Sequence, residues 1–224
     1  LTSIGKNAFR NCYMLSEINY SGVGLYTIGE SAFENCINLG GFTIANSVIT
    51  VGKNAFSGCI NLKSVEYESG SLITKIEDNT FNGCRLLESL KLPLGVVEFG
   101  ENAFLNCEKL GDATFLNVKC KVLGDYTFSG IKGLTNITLD GTLESLGEGV
   151  FAGCSGLKKV SFVNGFKLTT IPKNTFYGAT SLQSVILPES VKIIEDNAFN
   201  NCATLTSVSF GDGITKIGSA SFKN

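Results

Sequence analysis

Ten phenylalanines recur along this chain at intervals of 23 to 25 residues: Phe9, Phe33, Phe56, Phe81, Phe104, Phe128, Phe151, Phe176, Phe199 and Phe222. An interval of that size marks stacked structural repeats, each too small to bury its own apolar side chains. A chain of 224 residues would otherwise suggest one or two globular domains. The repeat predicts a single solenoid over 1–224, with units starting near 1, 25, 48, 73, 96, 120, 143, 168, 191 and 214. The chain opens in mid-repeat and stops 2 residues after Phe222, so the expectation is a piece of a longer protein with a partial last unit.

Counted from the phenylalanine, other columns follow. Eight residues before it stand Leu1, Leu25, Val48, Ile73, Val96, Cys120, Leu143, Leu168, Val191 and Ile214; five before it, Ile4, Ile28, Val51, Ile76, Phe99, Leu123, Leu146, Ile171, Ile194 and Ile217. Six after it comes Leu in every complete unit, from Leu15 to Leu205. Nine and eleven after it come apolar pairs such as Val65 with Tyr67 and Ile137 with Leu139. A spacing of two is strand periodicity. Parallel strands from successive units would stack about 4.8 Å apart, giving a gently curved rod about 45 Å long.

The backbone signals flank the phenylalanine. Two residues after it only Gly or Asn occurs, the residues that enter the left-handed region most readily. Positive φ is expected there. Two residues before it stand Asn7, Ser31, Asn54, Asn79, Asn102, Asn174 and Asn197, which read as helix N-caps. Together they predict one short helical turn around each phenylalanine. The frequent Gly four residues before it is replaced by Pro172, Glu77 and Glu195, so that site does not require positive φ.

The strings Ile-Gly-Lys-Asn-Ala-Phe-Arg-Asn-Cys at 4–12, Val-Gly-Lys-Asn-Ala-Phe-Ser-Gly-Cys at 51–59 and Ile-Glu-Asp-Asn-Ala-Phe-Asn-Asn-Cys at 194–202 resemble the BspA-like leucine-rich repeat. The resemblance covers the whole chain. It implies an α/β fold: a right-handed leucine-rich solenoid with a parallel sheet on one face and helical turns among the connections. It further implies a secreted or surface-anchored protein of bacteria or parasitic protists, linked to adhesion. The family has no shared catalytic residue to carry over.

The residues themselves offer no catalytic constellation. There is no His, which removes the commonest general base and a common metal ligand. No catalytic residue, cofactor site or metal site is expected. Net charge is −2 with no basic patch, so nucleic acid is not an expected partner. No 18-residue apolar run is present, so no membrane insertion is expected. Seven of the eight cysteines lie three residues after the phenylalanine (Cys12, Cys36, Cys59, Cys84, Cys107, Cys154 and Cys202). Ile131 and Ala179 fill the same column, and parallel side chains about 4.8 Å apart suit a disulfide poorly. Free packing thiols are the expectation. Asn19-Tyr20-Ser21 and Asn136-Ile137-Thr138 fit the N-glycosylation sequon, which matters only in a eukaryotic source.

What remains is the outward face of the main strand, eight and ten residues after each phenylalanine. The candidate binding residues are Thr43, Glu66, Lys91, Thr114, Thr138, Ser161, Ile186 and Ser209. Solenoids commonly bind on this face, and a plain solvated sheet surface is the alternative. The face is polar and weakly charged, so any binding is expected to depend mildly on salt. It lacks Trp and Tyr platforms, which favours a host or cell-surface protein over a glycan as partner. Three roles stay open: a non-catalytic binding or adhesion module, a substrate-targeting region of a larger extracellular enzyme, and a structural spacer.

Overall fold

A computed structural model of the chain describes residues 1–20, 24–111, 120–163 and 165–224. The phenylalanines form one continuous stack. Nine successive ring pairs, from Phe9–Phe33 to Phe199–Phe222, lie parallel with centroids 5.1–5.9 Å apart and planes within 19°. The chain therefore winds through about nine turns of a β-solenoid. The expected neighbours Phe56 and Phe81 stack at 5.6 Å and 9°. Every ring from Phe33 to Phe199 is fully buried.

The main sheet is parallel and in register with the repeat. One ladder joins Gly41–Ile44, Ser64–Tyr67 and Ser89–Lys91; another joins Asn136–Leu139, Lys159–Phe162, Ser184–Ile186 and Ser207–Ser209. Exposed and buried residues alternate along Gly41–Ile44, Ser64–Tyr67 and Asn136–Leu139, as the spacing of two requires.

Parallel pairing is not confined to one face. The column five before the phenylalanine forms two-residue strands that also ladder between coils, such as Ser3–Ile4 with Thr27–Ile28 and Thr50–Val51. This second ladder breaks in two places: between Thr50–Val51 and Lys75–Ile76, and between Ser145–Leu146 and Thr170–Ile171. At both places the phenylalanines are 25 residues apart. The longer units leave the ring stack intact, with Phe151 and Phe176 also 5.6 Å apart. The extra residues are absorbed in the link between main strand and short strand.

The helical turn is the main correction. No helix occurs among the described residues, and the expected α/β architecture is a β-solenoid instead. Asn7, Ser31, Asn54, Asn79, Asn102, Asn174 and Asn197, read as N-caps, all have φ between 54° and 58°. Tyr126, Gly149 and Ala220 in the same column are left-handed too, at 53°, 58° and 52°. Two residues after the phenylalanine φ is positive as expected, including Asn35 at 60°, Gly58 at 73° and Asn106 at 59°. A left-handed residue on either side of each phenylalanine from Phe9 to Phe199 stops helix propagation and makes tight turns closed by i to i+3 bonds.

Backbone bonding explains why this geometry recurs. In the first coil the N–H groups of Ala8, Arg10 and Cys12 donate to the carbonyls of Gly5, Asn7 and Phe9 in the same coil. Those of Asn7, Phe9 and Asn11 donate to Glu30, Ala32 and Glu34 in the next coil at 2.7–2.9 Å. Alternate groups serve the turn and the neighbouring coil, so no buried backbone donor in this stretch is orphaned. A helix would spend all of them within one coil. The residue before the phenylalanine is often alanine, at Ala32, Ala55, Ala103 and Ala198, all buried, and Val150 takes the same buried place before Phe151. Where it is Thr80, Thr127, Thr175 or Ser221, the hydroxyl donates to a carbonyl three residues back at 2.6–2.7 Å.

The cysteine column has a further role. The thiols of Cys36, Cys59, Cys84, Cys107, Cys154 and Cys202 each donate to the carbonyl of the preceding coil's phenylalanine at 3.1–3.3 Å. All eight cysteines are free, and only Cys12 is exposed. Burial pushes Cys36 and Cys202 up to about 11 and Cys154 up to about 12. Because the thiolate is the reactive form, these groups should be inert in the fold. A chromogenic disulfide reagent at pH 8 should label one thiol promptly and the rest only on unfolding. More than one prompt equivalent would show that the column is open to solvent.

Candidate functional site

The outward rows of the main sheet are built by register. Across the first ladder Gly41, Ser64 and Ser89 lie side by side, as do Thr43, Glu66 and Lys91. Across the second, Thr138 lies beside Ser161 and Ile186 beside Ser209. Of the candidate residues, Thr43, Glu66, Lys91, Thr138, Ile186 and Ser209 are exposed, and Ser161 is half-buried. Ile186 is 73% exposed, an outlying apolar side chain on a polar face. Thr114 lies outside the described residues. The rows thus bring Thr43, Glu66 and Lys91 together in front and Thr138, Ser161, Ile186 and Ser209 behind.

The front ladder carries a groove of about 840 Å³. Its floor is made of short side chains, Gly41, Thr43, Ser64 and Ser89, over the buried Phe42 and Val65. A Cβ at Gly41 would come 3.1 Å from Ser64 Oγ, so glycine lets the two strands' outward groups sit close there. Tyr20 closes one side, its hydroxyl donating to the Thr43 carbonyl at 2.6 Å and accepting the Ala45 N–H at 3.3 Å. Burial holds the Tyr20 phenol above its ordinary value, and the Glu68 carboxylate adds to the effect. Lys91 Nζ sits 3.1 Å from Glu66 Oε1, with both side chains more than half exposed. Glu68 accepts the Asn46 N–H at 3.1 Å.

Glu17 and Tyr20 before the ladder and Glu68 beyond it line the groove outside the candidate set. The signal for Glu68 lies in the sequence: carrying the spacing of two one step further, twelve residues past Phe56, reaches it. Among the described residues no group of three or more His, Cys, Asp or Glu could hold a metal ion. No helix among them is long and apolar enough to cross a membrane.

Comparison with known proteins agrees with this architecture. A family model described as the BspA type leucine rich repeat region (6 copies) matches residues 2–119 and again 115–224. Among curated proteins no match is found. Solved structures share the fold. A leucine-rich repeat protein from Bacteroides ovatus is 24% identical with a TM-score of 0.61, over 100% of this chain and 74% of that one. A leucine rich cell surface protein from Faecalibacterium prausnitzii is 22% identical with a TM-score of 0.54, over 94% and 69%. The pneumococcal vaccine antigen PcpA is 21% identical with a TM-score of 0.67, over 99% of this chain and 53% of the antigen. With the family model matched along its whole length, the chain belongs to the BspA-type leucine-rich-repeat family.

Proposed function

We propose that this chain is a non-catalytic protein-binding module displayed outside the cell, and that its partner docks on the main sheet face. The groove over Gly41–Ile44, Ser64–Tyr67 and Ser89–Lys91 carries the reading. It is concave, floored by short side chains, and held by backbone ladders from coil to coil, so ordering it on binding costs little. Family membership and a surface-protein relative of the same fold support the extracellular setting.

The test is a variant with Thr43→Arg, Ser89→Arg and Thr138→Arg, its fold checked by circular dichroism. Surface plasmon resonance against a panel of purified host surface and matrix proteins should detect a partner for the parent chain. The variant should hold that partner at least tenfold more weakly, about 1.4 kcal/mol. Equal affinity would move the interface to the turn face or the coil edges.

A further inference from the structure

We infer that the groove over the front ladder takes an extended protein segment bearing lysine or arginine. This rests on the sheet-face reading above and gives the partner its chemistry.

Charge is unevenly placed on the face. Glu17, Glu66 and Glu68 line the groove against a single cation, Lys91. On the rear ladder the exposed outward residues are neutral apart from Lys159. A chain with net charge −2 thus places three carboxylates along this groove. Glu17 and Glu66 belong to the first and third coils and lie two residues out of register, so two strand spacings and two residues of rise put them about 12 Å apart at the backbone. An ammonium or guanidinium over Thr43 would sit between them.

The groove also suits the stem of such a side chain. Tyr20 and Phe42 both line it, with ring centroids 5.9 Å apart. Lysine and arginine lay their methylenes on apolar surface while the charged head reaches an acid, and aromatic faces attract the cation itself. Glu66 is held only by an exposed ion pair, with Lys91 72% and Glu66 58% exposed. Such pairs contribute little and exchange readily, so an incoming cation can replace Lys91. The floor of Gly, Ser and Thr admits a backbone at close range, which favours an extended segment over a bulky one. Low net charge alone predicts weak salt dependence; clustered carboxylates predict that binding falls steadily with salt.

The experiment uses the full 224-residue chain, isotope-labelled, with backbone amide shifts read by NMR. The probe is a decapeptide alternating lysine and threonine, beside counterparts with glutamine or glutamate for lysine. The lysine peptide should shift residues 17–20, 41–45, 64–68 and 89–91, and bind at least fivefold more tightly than the glutamine peptide. The glutamate peptide should not bind. Glu17→Gln, Glu66→Gln and Glu68→Gln together should weaken the lysine peptide about tenfold. Lys91→Gln, which frees Glu66, should tighten it about threefold. Asp78, Glu101, Asp125 and Glu148 form another acidic row three residues before successive phenylalanines, so Glu101→Gln with Glu148→Gln is the control and should change nothing.

Equal binding of the lysine and glutamine peptides overturns the inference. So does loss of binding in the control variant, which would mean unspecific attraction. Shifts confined to 136–139 and 159–162 would keep the sheet face as the binding surface and remove the acidic groove. A partner protein that binds the chain while every sheet-face variant leaves it unaffected would remove both.

Discussion

Phe104→Ala should destabilise the fold by about 3–5 kcal/mol, read as a lowered denaturant midpoint. Phe104 is fully buried between Phe81, at 5.4 Å and 12°, and Phe128, at 5.6 Å and 7°. Phe99 leans on it from the short-strand side at 6.1 Å. Truncation leaves a cavity whose walls cannot close. The Phe81 N–H is bonded to the Ala103 carbonyl at 2.9 Å, and the Phe104 N–H to Thr127 at 2.8 Å. Those bonds fix the coil spacing whatever side chain stands between. The cost therefore belongs near the upper end, because expense grows with the cavity that survives relaxation. Phe9, half-buried with one stacked neighbour, should lose less than half as much. In a quasi-one-dimensional stack a weak central coil can also uncouple the two halves, which would show as a smaller slope with denaturant. A loss below about 1 kcal/mol at Phe104 would mean the column is not core.

The columns are legible because their cause is local and repeated. Every coil must present the same apolar groups to its neighbours, so burial at Phe56, Leu62 and Ile76 is written into the spacing. The turn is half legible. Gly or Asn two residues past the phenylalanine reports positive φ directly, and positive φ is found. Asn two residues before it suits both an N-cap and a left-handed turn site, and the N-cap expectation fails. Gly149 in that column does not decide either, since glycine serves both as an N-cap and as an easy left-handed residue. Tyr126 and Ala220 hide the rule, because the backbone ladder imposes φ of 53° and 52° on residues that do not favour it. That is a tertiary demand with no local signature.

The binding face divides in the same way. Which residues point outward follows from the spacing of two, and exposure at Thr43, Glu66 and Thr138 agrees. What spacing cannot show is curvature, so the groove in front, and the part Gly41 and Tyr20 play in it, emerge only in three dimensions. The thiol bonds to the phenylalanine carbonyls are equally hidden. Ile131 and Ala179 show that the column tolerates an apolar group, which conceals that a thiol also donates.

Those buried thiols lead to the other large effect: the chain should unfold between pH 9 and 12. A cysteine in the unfolded chain loses its proton near its ordinary value of 9.0. Burial pushes Cys154 up to about 12, and Cys59, Cys84 and Cys107 higher still. Below pH 9 both states carry the proton, and stability is whole. Above it the unfolded chain releases protons that the fold retains, so stability falls by about 1.4 kcal/mol per pH unit for each thiol. Those four together give a slope of roughly 5 kcal/mol per pH unit, against a typical total of about 5–15 kcal/mol. The buried phenol of Tyr67, also pushed up by burial, acts in the same direction. Denaturant unfolding at half-unit steps from pH 8 should trace the decline. Cys84→Ala with Cys107→Ala, which places at both sites the residue that Ala179 already contributes to the column, should lower the slope by about 3 kcal/mol per pH unit even while removing two thiol bonds. A stability that stays level to pH 10.5 would show that the thiols meet solvent in the fold. Serine at the same sites separates the two contributions of the column. It keeps a donor for the phenylalanine carbonyl and cannot titrate in this range, so its alkaline slope should match alanine's while its stability at pH 8 reports the cost of burying a hydroxyl.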